Sequence, residues 1–72
     1  MPAWVLTRQR EIGARIRTAR LAAGLTQMQV GDLVGRDHRT IHHWEYGTRV
    51  PRLDDLLLVS DAIGVPLRDL VG

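Results

Sequence analysis

The 72-residue chain contains no cysteine and no lysine. Without cysteine it has neither a disulfide staple nor a thiolate metal site. Without lysine, every basic side chain other than histidine is an arginine, whose planar fork suits phosphates and guanine edges. Arginine-rich coding also arises from GC-rich genomes, so this choice alone carries little functional weight. No apolar run approaches the ~18 residues that span a bilayer. The opening MPAWVLTRQR lacks the apolar stretch of a secretory signal. Repeats, low-complexity tracts and linkers are absent too. These absences predict a soluble, cytoplasmic, single domain over residues 1–72, with residues 1–6 as a flexible arm. A chain of this length buries only about 60% of its unfolded surface. Its core is therefore marginal, and helical packing, helped by dimerisation, must supply the stability.

The net charge of +2 hides an asymmetry. Residues 1–52 hold nine arginines against Glu11, Asp32, Asp37 and Glu45, a balance of +5. Residues 53–72 hold Arg68 against Asp54, Asp55, Asp61 and Asp69, a balance of −3. A polyanion docking on the basic part would account for the split, as would an unevenly charged solvated surface.

Glycine and proline divide the chain into helical pieces. The first helix is predicted from about Thr7 to Ala23, with Ile12, Ile16 and Ala19 at helical spacing and Gly24 as its stop. Thr26 to Gln29 reads T-x-x-Q, a capping box that opens a second helix, with Val30, Gly31 and Val34 inward and Gly35 at its end. Asp37 caps a third helix that Gly47 stops. Pro51 precedes a fourth, with Asp54 and Asp55 favourably placed in its first turn. Leu53, Leu56, Val59, Ser60 and Ile63 form its predicted inner stripe. Gly64 ends it, and Pro66 opens a fifth helix through Leu70. No segment alternates as a strand would. The expected fold is all-α, a compact bundle of five short helices.

The third helix carries the most information. At about 100° per residue, Ile41 and Trp44 fall about 60° apart, with Glu45 beside them. His38, His42, Tyr46, Arg39 and His43 follow one another over an arc of about 140° on the other side. A helix anchored on one face and polar on the other is suited to the major groove of DNA. His38 and His42 stand four apart, but two ligands do not close a metal site, and no metal or other cofactor is expected. Neutral imidazole can donate to, or accept from, a base edge or a phosphate. Trp44 is placed in the core by Ile41; Trp4 could cover the core or join a dimer. No pattern of nucleophile, base or paired carboxylates points to an enzyme.

These residues resemble the lambda-repressor-like helix-turn-helix family, the Cro or xenobiotic-response-element type. The likeness runs without a gap from Leu25 to Leu53. It includes Leu25-Thr26-Gln27, the turn glycine Gly35, T-I-x-x-W-E at Thr40 to Glu45, Gly47, and R-x-P at Arg49 to Pro51. It extends back to Ile16 and Arg20 and forward through Ala62 to Leu67. The resemblance implies that the second and third helices form the DNA-binding motif, with residues 37–46 as the recognition helix. It implies base contacts from His38, Arg39 and His43, with Thr40 and His42 beside them. Gln27 is implied as a phosphate contact that also braces the recognition helix, and Tyr46 as a phosphate contact. Arg49 and Arg52 fall in a loop that touches the backbone or the minor groove. Arg20 and Glu45 match a partly buried ion pair between the first and third helices.

The chain departs from the family pattern at several positions. Arg36 stands where an apolar residue usually packs against the recognition helix, and is expected to reach for a phosphate instead. Gly31 replaces a small residue, usually alanine. Tyr46 replaces a common asparagine. Met28, Leu33, Leu57 and Leu58 are apolar where charges are frequent; if Leu33, Leu57 and Leu58 cluster, they form a self-association patch. The implied function is a sequence-specific, double-stranded DNA-binding regulator of transcription in a bacterial cytoplasm, nucleoid-associated and homodimeric on two half-sites. Two other readings stay open at this point: an antitoxin-type regulator whose apolar patch holds a toxin, and an interaction module that has lost DNA binding.

Overall fold

In a computed structural model describing residues 1–72, five helices follow one another with no strand: α1 (Ala3–Ala22), α2 (Gln27–Val34), α3 (His38–Glu45), α4 (Leu53–Ile63) and α5 (Leu67–Val71). Helix α1 starts four residues before the expected Thr7. The Thr7 hydroxyl bonds back to the Ala3 carbonyl at 3.2 Å instead of capping a new helix. Pro2, with φ of −62°, precedes the first turn, where its missing N–H costs nothing. Val5 and Gln9 are half-buried, so the predicted arm is instead helical from residue 3 onward. Trp4 remains 69% exposed and does not cover the core.

Local polar chemistry sets the two central helices. The Thr26 hydroxyl accepts from Gln29 N at 3.0 Å, and the Gln29 side chain accepts from Thr26 N at 2.8 Å, which closes the expected capping box. Gly35 ends α2 with φ of +72°. Asp37 then accepts from Arg39 N at 2.8 Å and opens α3. That backbone bond, aided by the positive charges of His38 and Arg39, holds the Asp37 carboxyl below its usual range. The turn between the helices is tight. A Cβ on Gly31 would lie 2.6 Å from the Arg36 carbonyl oxygen, so glycine is needed here for space.

The core is Ile16, Val30, Val34, Ile41, Trp44, Leu56, Val59 and Leu70, drawn from all five helices. Helix α1 crosses the end of α3 so closely that a Cβ on Gly13 would collide with the Trp44 carbonyl oxygen. Beside that crossing, Arg20 Nε and Nη2 donate to the two Glu45 carboxylate oxygens at 2.6 and 2.9 Å. Both side chains are buried, and the bond to Glu45 is the main reason the Arg20 pKa is raised. The expected ion pair is present, and it ties α1 to α3.

Helix α4 sits differently from its predicted stripe. Leu56 and Val59 are buried, and Ser60 and Ile63 are half-buried, but Leu53 is 65% exposed. The inward position of the first turn belongs to Asp55, only 4% exposed. Its carboxylate accepts from Arg52 N at 3.0 Å and from the Arg36 guanidinium at 2.8 and 3.2 Å. Burial pushes the Asp55 pKa up, but the bonds from Arg36 and Arg52 outweigh it and hold the group below its ordinary value.

Candidate nucleic-acid interface

The helix pair α2–α3 leaves the outer face of α3 uncovered. His38, Arg39, His42 and Tyr46 are exposed, while Thr40 and His43 are half-buried. Asp37, Arg39, Thr40, His43 and Arg49 line a hollow of about 310 Å³ on this face. The structure thus gathers four of the expected contact residues, from the recognition helix and the loop after it, around one concavity.

The loop is bound to the helix by a residue that sequence reasoning passed over. The His43 carbonyl accepts from Thr48 N at 3.0 Å and from Arg49 N at 3.3 Å. The Thr48 hydroxyl lies 2.8 Å from His43 Nδ1. Thr48 therefore places Arg49 beside His43. Nothing at Thr48 signals this in the sequence, because the bond depends on how the chain turns after Gly47. His38 stands outside the hollow, with Nδ1 3.5 Å from Asp37 Oδ1. It gathers no third ligand with His42.

Gln27 fills the bracing half of its implied role. Its Nε2 lies 3.3 Å from both Glu45 Oε1 and His42 Nδ1, so it joins the first turn of α2 to the last turns of α3. Tyr46 follows α3 and sets its ring against that of His42, centroids 4.6 Å apart and planes tilted by 38°. Arg52 is open to solvent, its Nε 3.9 Å from Asp54, which is also exposed.

Arg36 does not take its expected place. Its Nε and Nη2 both bond Asp55 Oδ1, although the side chain is 45% exposed. The position after Gly35 is thus linked to α4 by an ion pair in place of an apolar contact. The desolvated Asp55 carboxylate competes for the guanidinium more strongly than solvent does. Sequence reasoning read Asp55 only as an anion suited to a helix start.

A short helix held from behind by apolar anchors, joined to a capped partner through a glycine turn and presenting polar side chains outward, is a unit for entering a DNA groove. The chain belongs to the helix-turn-helix domain family, whose model matches residues 11–71. The restriction-modification controller protein C.AhdI from Aeromonas hydrophila is 31% identical, with a TM-score of 0.82 over 86% of this chain and 94% of that one. The clp gene regulator ClgR from C. glutamicum shares the fold, with a TM-score of 0.84 and 21% identity over 88% of this chain and 82% of that one. No curated protein sequence matches the chain. As a member of the lambda-repressor-like branch, the protein is a DNA-binding transcriptional regulator. No helix is long and apolar enough to cross a membrane.

Proposed function

We propose that the protein is a sequence-specific regulator that lays α3 in the major groove and acts as a homodimer on two half-sites. The observation that carries this reading is the hollow shared by Arg39, Thr40, His43 and Arg49. Arg39 supplies the most specific contact, because an arginine fork pairs with guanine O6 and N7. His38 and His43 read neighbouring base edges. Thr40, His42, Tyr46, Arg49 and Arg52 contact phosphates and flanking positions and set register, the arginines carrying the salt dependence, while Gln27 braces the recognition helix from behind. Arg36 drops out of this set, since Asp55 occupies it. The regulator acts by occupancy and without catalysis, in the cytoplasm, where the DNA is.

Pairing of two copies is supported by the apolar side chains left outside the core. Leu33 on α2 and Leu53, Leu57 and Leu58 on α4 are all exposed. One small module buries only about 600–1,000 Å² on DNA, and a second copy doubles that contact. Selection of bound sites from a random double-stranded library tests the proposal. An inverted repeat with half-sites about one helical turn apart is expected. Binding without enrichment would overturn the base-reading roles, and an enriched single half-site would overturn the dimer.

A further inference from the structure

A chain of polar contacts runs from the buried ion pair to the surface. Arg20 grips both oxygens of Glu45. Glu45 Oε1 lies 3.3 Å from Gln27 Nε2, and the same nitrogen lies 3.3 Å from His42 Nδ1. A carboxylate salt-bridged to a guanidinium has no proton to give. Gln27 must therefore turn its amide nitrogen toward Glu45, with its oxygen away, and this fixes the amide orientation. An amide nitrogen only donates, so the His42 nitrogen facing it can only accept. The proton of neutral His42 then resides on the other ring nitrogen, Nε2. Tyr46 packs against the ring, and His42 itself remains exposed on the outer face of α3.

We infer that Gln27 is a positioning residue that locks His42 in its Nε2–H tautomer, so that His42 offers DNA a hydrogen-bond donor. This rests on the reading of α3 as the recognition helix. The partner is an acceptor atom: a phosphate oxygen, or a major-groove acceptor, guanine O6, the N7 of either purine, or thymine O4. An adenine or cytosine amine would place donor against donor and is disfavoured opposite His42. The Arg20–Glu45 pair thus does more than join helices. Through Gln27 it sets the hydrogen-bonding sense of a side chain on the DNA-facing surface.

Long-range proton–nitrogen NMR of the free protein at about pH 8.5, well above the ordinary imidazole range, tests the lock without DNA. A protonated Nε2 and a bare Nδ1 are expected for His42, with no detectable Nδ1–H form. In Gln27→Met the Nδ1–H form is expected to appear as a minor population. An Nδ1–H tautomer in the unaltered protein would overturn the proposal, and so would a Gln27→Met spectrum identical to the original. The donor role is tested on a selected duplex. There His42→Phe, which keeps a ring against Tyr46, is expected to weaken binding about fivefold, the equivalent of one hydrogen bond of about 1 kcal/mol. Equal affinity would overturn it. A single methylphosphonate that erases the difference between the two proteins identifies a phosphate partner; 7-deazaguanine doing so identifies guanine N7. Loss of the α3 reading would show instead as no duplex binding by either protein, with the tautomer result unaffected.

Discussion

Two halves of this molecule are held together by different physics. Helices α1 to α3 share five core side chains, Ile16, Val30, Val34, Ile41 and Trp44, and add to them directional polar contacts and close backbone approaches: the Arg20–Glu45 pair, the Gln27 bridge, and the crossing at Gly13. Helices α4 and α5 attach mainly through apolar burial of Leu56, Val59 and Leu70, with Asp55 as the one buried charge. The first half is basic and the second acidic. Hydrogen bonds and backbone clashes fix orientation over fractions of an ångström, whereas apolar contacts tolerate sliding. A reading helix needs the first kind of support, because misplaced side chains miss their base edges. The supporting half needs only to complete the core.

The largest effect should come from breaking the polar half. Arg20→Ala leaves Glu45 buried and unpaired, and is expected to cost about 3–5 kcal/mol. Against a whole-domain stability of about 5–15 kcal/mol, that loss should lower the melting temperature by more than about 10 °C. Thermal unfolding followed by circular dichroism checks this. A fall in melting temperature of only a few degrees would show that solvent reaches Glu45 readily and that the two halves are held alike.

Asp55, where the two halves meet, gives a smaller effect with a pH signature. Asp55→Ala removes the bonds to Arg36 and Arg52 N, a loss of about 2 kcal/mol at neutral pH. The folded carboxyl has a lowered pKa, so its contribution is present above the unfolded value of about 4. It is lost as pH falls through the still lower folded value. Denaturant titrations at pH 7 and pH 2 should therefore show a clear difference from the unaltered protein at pH 7 that shrinks at pH 2. An undiminished difference at pH 2 would mean that packing, not charge, is what Asp55 supplies.

How far each half can be read from sequence follows from the same contrast. The α2–α3 unit is legible because its signals are local: Thr26 and Gln29 are three apart, Gly35 takes a left-handed turn, and Asp37 bonds two residues on. The polar face of α3 is legible because one period fixes it. Arg36–Asp55 is not, since the partners lie 19 residues apart and meet only once α4 is in place. Period alone points Leu53 inward, but in the first turn of α4 the buried position is held by Asp55 through its bonds to Arg36 and Arg52 N. The link between Thr48 and His43 and the crowding at Gly13 likewise exist only after helices and loops have docked. The true start of α1 is not legible either, since nothing local shows that the Thr7 hydroxyl bonds backward to Ala3.

On DNA the comparison can be sharpened without touching the fold. Arg39 is exposed, so Arg39→Ala should change stability by less than about 0.5 kcal/mol. Binding to the selected site should weaken by about 1–3 kcal/mol, with base preference relaxed at one position in each half-site. Affinity measured across all four bases at each position gives the answer. A uniform loss over every sequence would assign Arg39 to the phosphate backbone.

The smallest change in the isolated domain, and the most selective, is expected on the outer face of α4. Leu57 is exposed and lies one turn from Leu53, so Leu57→Asp removes nothing from the core and should leave the stability of the monomer within about 0.5 kcal/mol of its original value. If α4 joins two copies, the substitution places like charges across the twofold axis, beside Asp54 and Asp61, and should abolish the dimer in sedimentation. Each copy would keep its reading helix, so half-site binding should survive while the gain from joining two half-sites disappears. A dimer that persists would move the interface to the other exposed apolar residues, Trp4 and Leu6 on α1 or Leu33 on α2, and would place pairing in the polar half after all.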